Sequence, residues 1–91
     1  MLVTVKLSAP LQKFTKGRAE VRASGKSIRE LINNLEEKIP GIKEKICDET
    51  DRLHKFINIY VNEQDIRFLE HAETVLKDGD EVLIIPAIAG G

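Results

Sequence analysis

Between Ser27 and Pro40 the chain carries a single strongly amphipathic helix pattern, with period-two patterns on both sides of it. That order leaves few ways to build a core. Ile28, Leu31, Ile32, Leu35 and Ile39 recur at the i, i+3, i+4, i+7, i+11 spacing that lines one helical face, with Arg29, Asn33, Glu36 and Glu37 elsewhere on the cylinder. Ser27 stands three residues before Glu30, where a hydroxyl and a carboxylate satisfy the unpaired amides of a first turn. Pro40-Gly41 ends the helix, and Ile42 and Ile46 give one further apolar turn before a polar surface loop from Asp48 to Arg52. A helix with one apolar stripe needs a sheet to cover it.

The flanking segments supply that sheet. Val3, Val5 and Leu7 alternate with Thr4 and Lys6; after Pro10 and a polar turn at Lys16-Gly17, Ala19, Val21 and Ala23 alternate with charged residues as the second arm of an antiparallel hairpin. Phe56 to Val61 is rich in β-branched and aromatic residues, and with Ile57, Ile59 and Val61 inward it is expected as the central strand. A turn at Asn62-Glu63 leads to a short strand around Asp65, Ile66 and Arg67. Leu76 is one buried residue before an Asp78-Gly79 turn, and Glu81 to Ile85 resumes strand character until Pro86 interrupts pairing. Hairpin, helix, then two or three strands is the β-grasp order: an α+β fold with a mixed four- to five-stranded sheet and one main helix across one face. The expected division is a β-grasp domain over residues 1–86 and a flexible C-terminal tail over 87–91.

Ninety-one residues suit one domain, and 42% hydrophobic with 32% charged residues suits a chain that folds alone. So small a core leaves little room for an enclosed active site, so function is expected on the surface or at a terminus. A net charge of -1 draws the chain to neither nucleic acid nor anionic lipid. No apolar run is long enough to span a bilayer and the N-terminus lacks a signal peptide's pattern, so the expected location is cytoplasmic. Cys47, the single cysteine, is expected to fill the core. His54 and His71 lack companions at metal-ligand spacing, so no metal site is expected. Ser24-Gly25-Lys26-Ser27 lacks the upstream glycine of a phosphate-binding loop and is expected as a helix-entry turn.

The chemistry is concentrated at the end. After Pro86 come Ala87, Ile88, Ala89, Gly90 and Gly91, whose extended reach is about 16 Å. Without a Cβ, Gly90-Gly91 can thread a narrow channel and offer its terminal carbonyl carbon to attack from either side. A carboxylate is a poor electrophile, so a partner must activate it, most simply as an acyl-adenylate formed with ATP. The activated carbon can then accept sulfur and become a nucleophilic thiocarboxylate. On this expectation the chain binds no cofactor itself; ATP-Mg and a sulfur donor are used by the activating partner.

The segments Phe56-Ile57-Asn58-Ile59-Tyr60-Val61-Asn62, Asp65-Ile66-Arg67-Phe68, Leu76-Lys77-Asp78-Gly79-Asp80-Glu81-Val82 and Ile85 to Gly91 resemble the MoaD/ThiS family of ubiquitin-like sulfur carriers. The likeness is dense over residues 54–91 and mostly a matter of pattern before them. It implies adenylation of Gly91 by an enzyme similar to ubiquitin-activating enzymes, an adenylyltransferase, and delivery of sulfur to an acceptor enzyme. The first expectation is molybdopterin (molybdenum cofactor) biosynthesis, with the molybdopterin-synthase large subunit as acceptor and this chain as the small subunit; the alternative is cysteine biosynthesis with a cysteine-synthase-like acceptor. In either case the chain is a protein cosubstrate and not an enzyme. With Gly91 last, no processing protease is expected.

A different alternative is a protein modifier that joins Gly91 to lysines, and a third is an interaction domain whose diglycine is incidental. With Val82 and Ile84 turned to the helix, Leu83 and Ile85 face away and, with Phe56, Tyr60 or Phe68 and with Pro86, form either a partner-binding patch or ordinary edge packing. Arg67 is either near the base of the tail, facing an acidic groove on the activating enzyme, or a solvated strand residue.

Overall fold

The computed structural model describes residues 2–50, 52–54 and 57–86, with the backbone alone at Phe14. Five strands form one mixed sheet in the order β2-β1-β5-β3-β4, where β1 is Leu2–Leu7, β2 Glu20–Ser24, β3 Ile57–Val61, β4 Gln64–Asp65 and β5 Glu81–Pro86. β1 runs antiparallel to β2 and parallel to β5, and β3 is antiparallel to both β5 and β4. Three helices accompany the sheet: α1 (Ala9–Gln12), α2 (Ile28–Lys38) and α3 (Ile42–Ile46). This is the β-grasp arrangement expected from the order of the patterns.

α2 begins where its cap residues require. The Glu30 amide donates to Ser27 Oγ at 3.2 Å, and Glu30 Oε1 accepts from the Lys26 amide at 3.1 Å, one residue before the usual position. Ile28, Leu31, Ile32, Leu35 and Ile39 are all buried against the inner face of the sheet. That face contributes Val3, Val5, Leu7, Ala23, Ile57, Ile59, Val61, Val82 and Ile84 to the same core. Gly25 sits so close beneath the helix that a Cβ there would lie 2.7 Å from the Leu31 backbone, which is why the entry turn carries glycine. Gly41, at φ 97°, redirects the chain into α3, and the Glu36 carboxylate accepts from the amides of Gly41 and Lys43 at 3.0 and 2.9 Å. Cys47 is buried beside Ile42 and Ile46 in the core cluster, as expected. No helix among the described residues is long and apolar enough to cross a membrane.

Five local expectations need correction. The hairpin connection, expected to hold only the polar turn found at Lys16-Gly17, also contains α1 and a 3-10 turn, Lys13–Thr15, because Leu11 reaches the core and Thr15 Oγ1 lies within hydrogen-bond distance of the Gln12 and Arg18 carbonyls. β2 starts at Glu20, and Ala19, although its carbonyl still accepts from the Leu7 amide, is exposed. The strand around Asp65, Ile66 and Arg67 stops at Asp65, whose carboxylate accepts from the Arg67 amide at 2.9 Å and turns Ile66–Phe68 into a 3-10 helix. The middle strand is β5 and not β3, since the parallel pairing with β1 inserts β5 between β1 and β3. Pro86 closes β5 opposite Ile57; β1 pairing has already ended at Ile84, so the missing N–H falls where one neighbour is gone.

Candidate docking face at the base of the tail

The pleat sends alternate side chains of each strand to the face of the sheet opposite α2. Strand register then sets the rows. Lys6 pairs with Glu20 on one side and Leu83 on the other; Leu83 pairs with Tyr60, and Tyr60 with Asp65. One step toward the end of β5, Ile85 pairs with Asn58. Leu83, Ile85 and Tyr60 are half-buried, forming an apolar strip along β5 and β3 with charges at both margins. Lys6 and Glu81 make a 3.3 Å ion pair on the β1 side.

The opposite margin is a fixed cluster. Arg67 Nη2 donates to Asp65 Oδ2 at 2.7 Å and Nε to the same oxygen at 3.1 Å, while Nη2 also reaches Asn58 Oδ1 at 3.1 Å. These bonds hold the Asp65 carboxyl below its usual range and raise the Arg67 guanidinium above its own. The arginine side chain is still 58% exposed, so the cation is oriented and open to solvent.

Of the residues expected to bind partners, Tyr60, Leu83 and Ile85 therefore share one face; Arg67 is tied to it through Asn58, and Pro86 ends the strand that carries it. Phe68 stands apart. It is 87% exposed on the 3-10 turn after β4 and lines a groove with Leu69 and Val75, not with Leu83 and Ile85. Phe56 and the tail residues Ala87, Ile88, Ala89, Gly90 and Gly91 lie outside the described residues. Sequence reasoning missed two members of the face, Asn58 and the Lys6–Glu81 pair. A polar residue at an outward position of an otherwise apolar strand was the signal for Asn58; the ion pair depends on the β1–β5 register, which no local pattern encodes. Among the described residues no group of three or more His, Cys, Asp or Glu could hold a metal ion.

Comparison with known proteins gives this face its context. The model of the ThiS family matches residues 5–91. The sulfur carrier protein CysO of Mycobacterium tuberculosis is 43% identical over 100% of both chains. The molybdopterin synthase sulfur carrier subunit of the same organism is 33% identical over 81% of this chain and 76% of its own. Among solved structures, the Amycolatopsis orientalis BexX/CysO complex contains a chain that superposes with a TM-score of 0.90 at 43% identity, covering 98% of this chain and 99% of that one. Small archaeal modifier protein 1 of Methanosarcina acetivorans superposes with a TM-score of 0.86 at 38% identity, covering 99% and 96%. A diglycine ending, a β-grasp sheet and a family match that spans nearly the whole chain agree, and the chain belongs to the ThiS/MoaD family of ubiquitin-like sulfur carrier proteins.

Proposed function

We propose that this carrier holds sulfur as a thiocarboxylate on Gly91 and delivers it for cysteine synthesis. The observation that carries the choice of pathway is the 43% identity to CysO over the whole of both chains, against 33% over part of each for the molybdopterin carrier. That ordering reverses the first expectation from the sequence, which put molybdopterin synthesis ahead.

The chemistry needs two events on a partner. A carboxylate oxygen of Gly91 attacks the α-phosphate of ATP-Mg, pyrophosphate leaves, and the terminal carbon becomes an acyl-adenylate. Sulfide then adds to that carbon and AMP leaves, which gives the thiocarboxylate. In the acceptor enzyme the sulfur attacks an electrophilic carbon of the small-molecule substrate as the substrate's leaving group departs, which joins the product to Gly91 as a thioester; hydrolysis of that acyl link then releases the thiol product and returns the Gly91 carboxylate. Residues 87–91 act as the arm that enters each active site. The strip of Tyr60, Leu83 and Ile85, with Arg67 as the oriented cation at its margin, docks the domain. An apolar centre with a charged rim is the usual composition of such a surface.

The test is a branch assay. Thiocarboxylated carrier is offered in parallel to a cysteine-synthase-like enzyme and to a molybdopterin-synthase large subunit. This reading expects sulfur to appear in cysteine, and transfer only to the molybdopterin precursor overturns it. The 38% identity to a small archaeal modifier protein favours a second reading, protein modification through Gly91. Covalent ladders carrying an isopeptide bond to Gly91 in cell lysate would support that role.

A further inference from the structure

The sheet has a free edge along β2, on the far side of β1 and two strands away from β5, which carries the tail. The Leu7 amide donates to Ala19 O at 2.8 Å, so the β2 positions that bond to β1 fall at every second residue from Ala19, and the backbone groups of Arg22 and Ser24 point outward. Their carbonyls are already occupied by side chains of α2: Lys38 Nζ donates to Arg22 O at 2.8 Å and Asn34 Nδ2 to Ser24 O at 2.7 Å. The outward amides of the same two residues have no acceptor among the described residues. Half of a strand-pairing ladder is guarded and half is open.

A cleft of about 360 Å³ runs beside this edge. Among the described residues its lining holds four cations, Lys16, Arg18, Arg22 and Lys38, above Val21 and Ile39, and no carboxylate. None of the four is ion-paired among the described residues, whereas Lys6, Arg29 and Arg67 are. In a chain of net charge -1 this is a local concentration of positive charge.

We propose that the β2 edge accepts an extended acidic segment of a partner protein, added to the sheet as one more strand. A neutral strand would have to lift Lys38 and Asn34 from the carbonyls of Arg22 and Ser24 and would leave the lysine with nothing in return. An acidic strand supplies Lys38 with a carboxylate in exchange, so the guards that protect the edge also select its occupant. A polyanionic nucleic acid meets the charge but not the backbone: the edge offers amides at strand spacing, and Val21 and Ile39 below the cations are aliphatic. The site is separate from the face described above, so a partner can use it while the tail is engaged elsewhere.

The experiment is an amide NMR titration of the whole isotope-labelled protein with short capped peptides of alternating valine and glutamate. Glutamine and lysine versions and a short uridine oligonucleotide are run alongside. The glutamate peptide should shift the amides of Arg22 and Ser24, bind about tenfold more tightly than the glutamine version, and weaken as salt is raised. The lysine version should not bind. Lys38→Gln keeps a donor for Arg22 O but removes the charge, and should reduce the glutamate preference several-fold at an unchanged melting temperature. Equal binding of the three peptides, shifts confined to the face around Tyr60 and Leu83, tighter binding of the oligonucleotide, or an unaltered preference in Lys38→Gln would each overturn the proposal. None of these outcomes bears on sulfur transfer.

Discussion

Arg67 donates to Asn58 at 3.1 Å, and Asn58 stands directly opposite Ile85, the residue before the last of β5. A cation on one edge of the sheet is thereby fixed beside the strand from which the tail departs. The Asp65 carboxylate holds the same guanidinium at 2.7 Å.

This arrangement gives acid stability a definite sign. The Asp65 carboxyl is held low first by hydrogen bonds from the Arg67 side chain, that of Glu36 by the amides of Gly41 and Lys43, and that of Asp48 by Thr50. Because folded values lie below unfolded ones, the stabilisation is present above the ordinary carboxylate range of about 3.9–4.3 and is lost as pH falls through the lower folded values. Carboxyl NMR titration should place all three below that range, and Asp65→Asn should flatten the acid side of the melting-temperature profile. An Asp65 carboxyl that titrates at or above about 3.9 contradicts the geometry.

Gly25 and Gly79 should respond differently to alanine. At Gly25 the new Cβ would meet the Leu31 backbone at 2.7 Å, while Gly79 has open space but φ 88°. Gly25→Ala should cost about 3 kcal/mol, the upper end for overpacking, and Gly79→Ala about 1 kcal/mol for the left-handed backbone. Thermal unfolding measures both, at about 4–8 °C for each kcal/mol. Equal losses would mean that the helix is not seated on the entry turn.

Leu83→Asp tests the docking face. Leu83 is half-buried in the outer face, between Lys6 and Tyr60, so a carboxylate there keeps access to water and the melting temperature should move little. Affinity for the activating enzyme, measured by calorimetry, should fall by about tenfold or more, as when a central apolar contact is removed. Unchanged affinity would show that the partner docks elsewhere.

The residues themselves explain how much of this was legible. The α2 face, its Ser27 cap and its Pro40-Gly41 stop are local signals, and the strand alternation around Val3, Ile59 and Val82 is equally local, so the fold could be inferred from them. The identity of the middle strand was not legible, because it depends on pairing between β1 and β5, separated by most of the chain. The end of β4 was missed because the Asp65 side chain competes with strand pairing for the backbone that follows. For the candidate site, Tyr60, Leu83 and Ile85 follow from alternation once Val82 and Ile84 face the helix. Asn58 and Arg67 lie close in sequence, but their link depends on Asp65 turning the chain into a 3-10 helix, which no spacing rule announces.

The proposed sulfur delivery requires Gly91 to be charged with sulfur first. The direct measurement is the intact mass of the carrier after incubation with its adenylating enzyme, ATP-Mg and a sulfide source. The expected result is exchange of one oxygen for sulfur, mapped to Gly91 and abolished by deleting that residue while the melting temperature stays the same. An unchanged mass with an enzyme that does form the adenylate, or sulfur found on Cys47 instead, would contradict it.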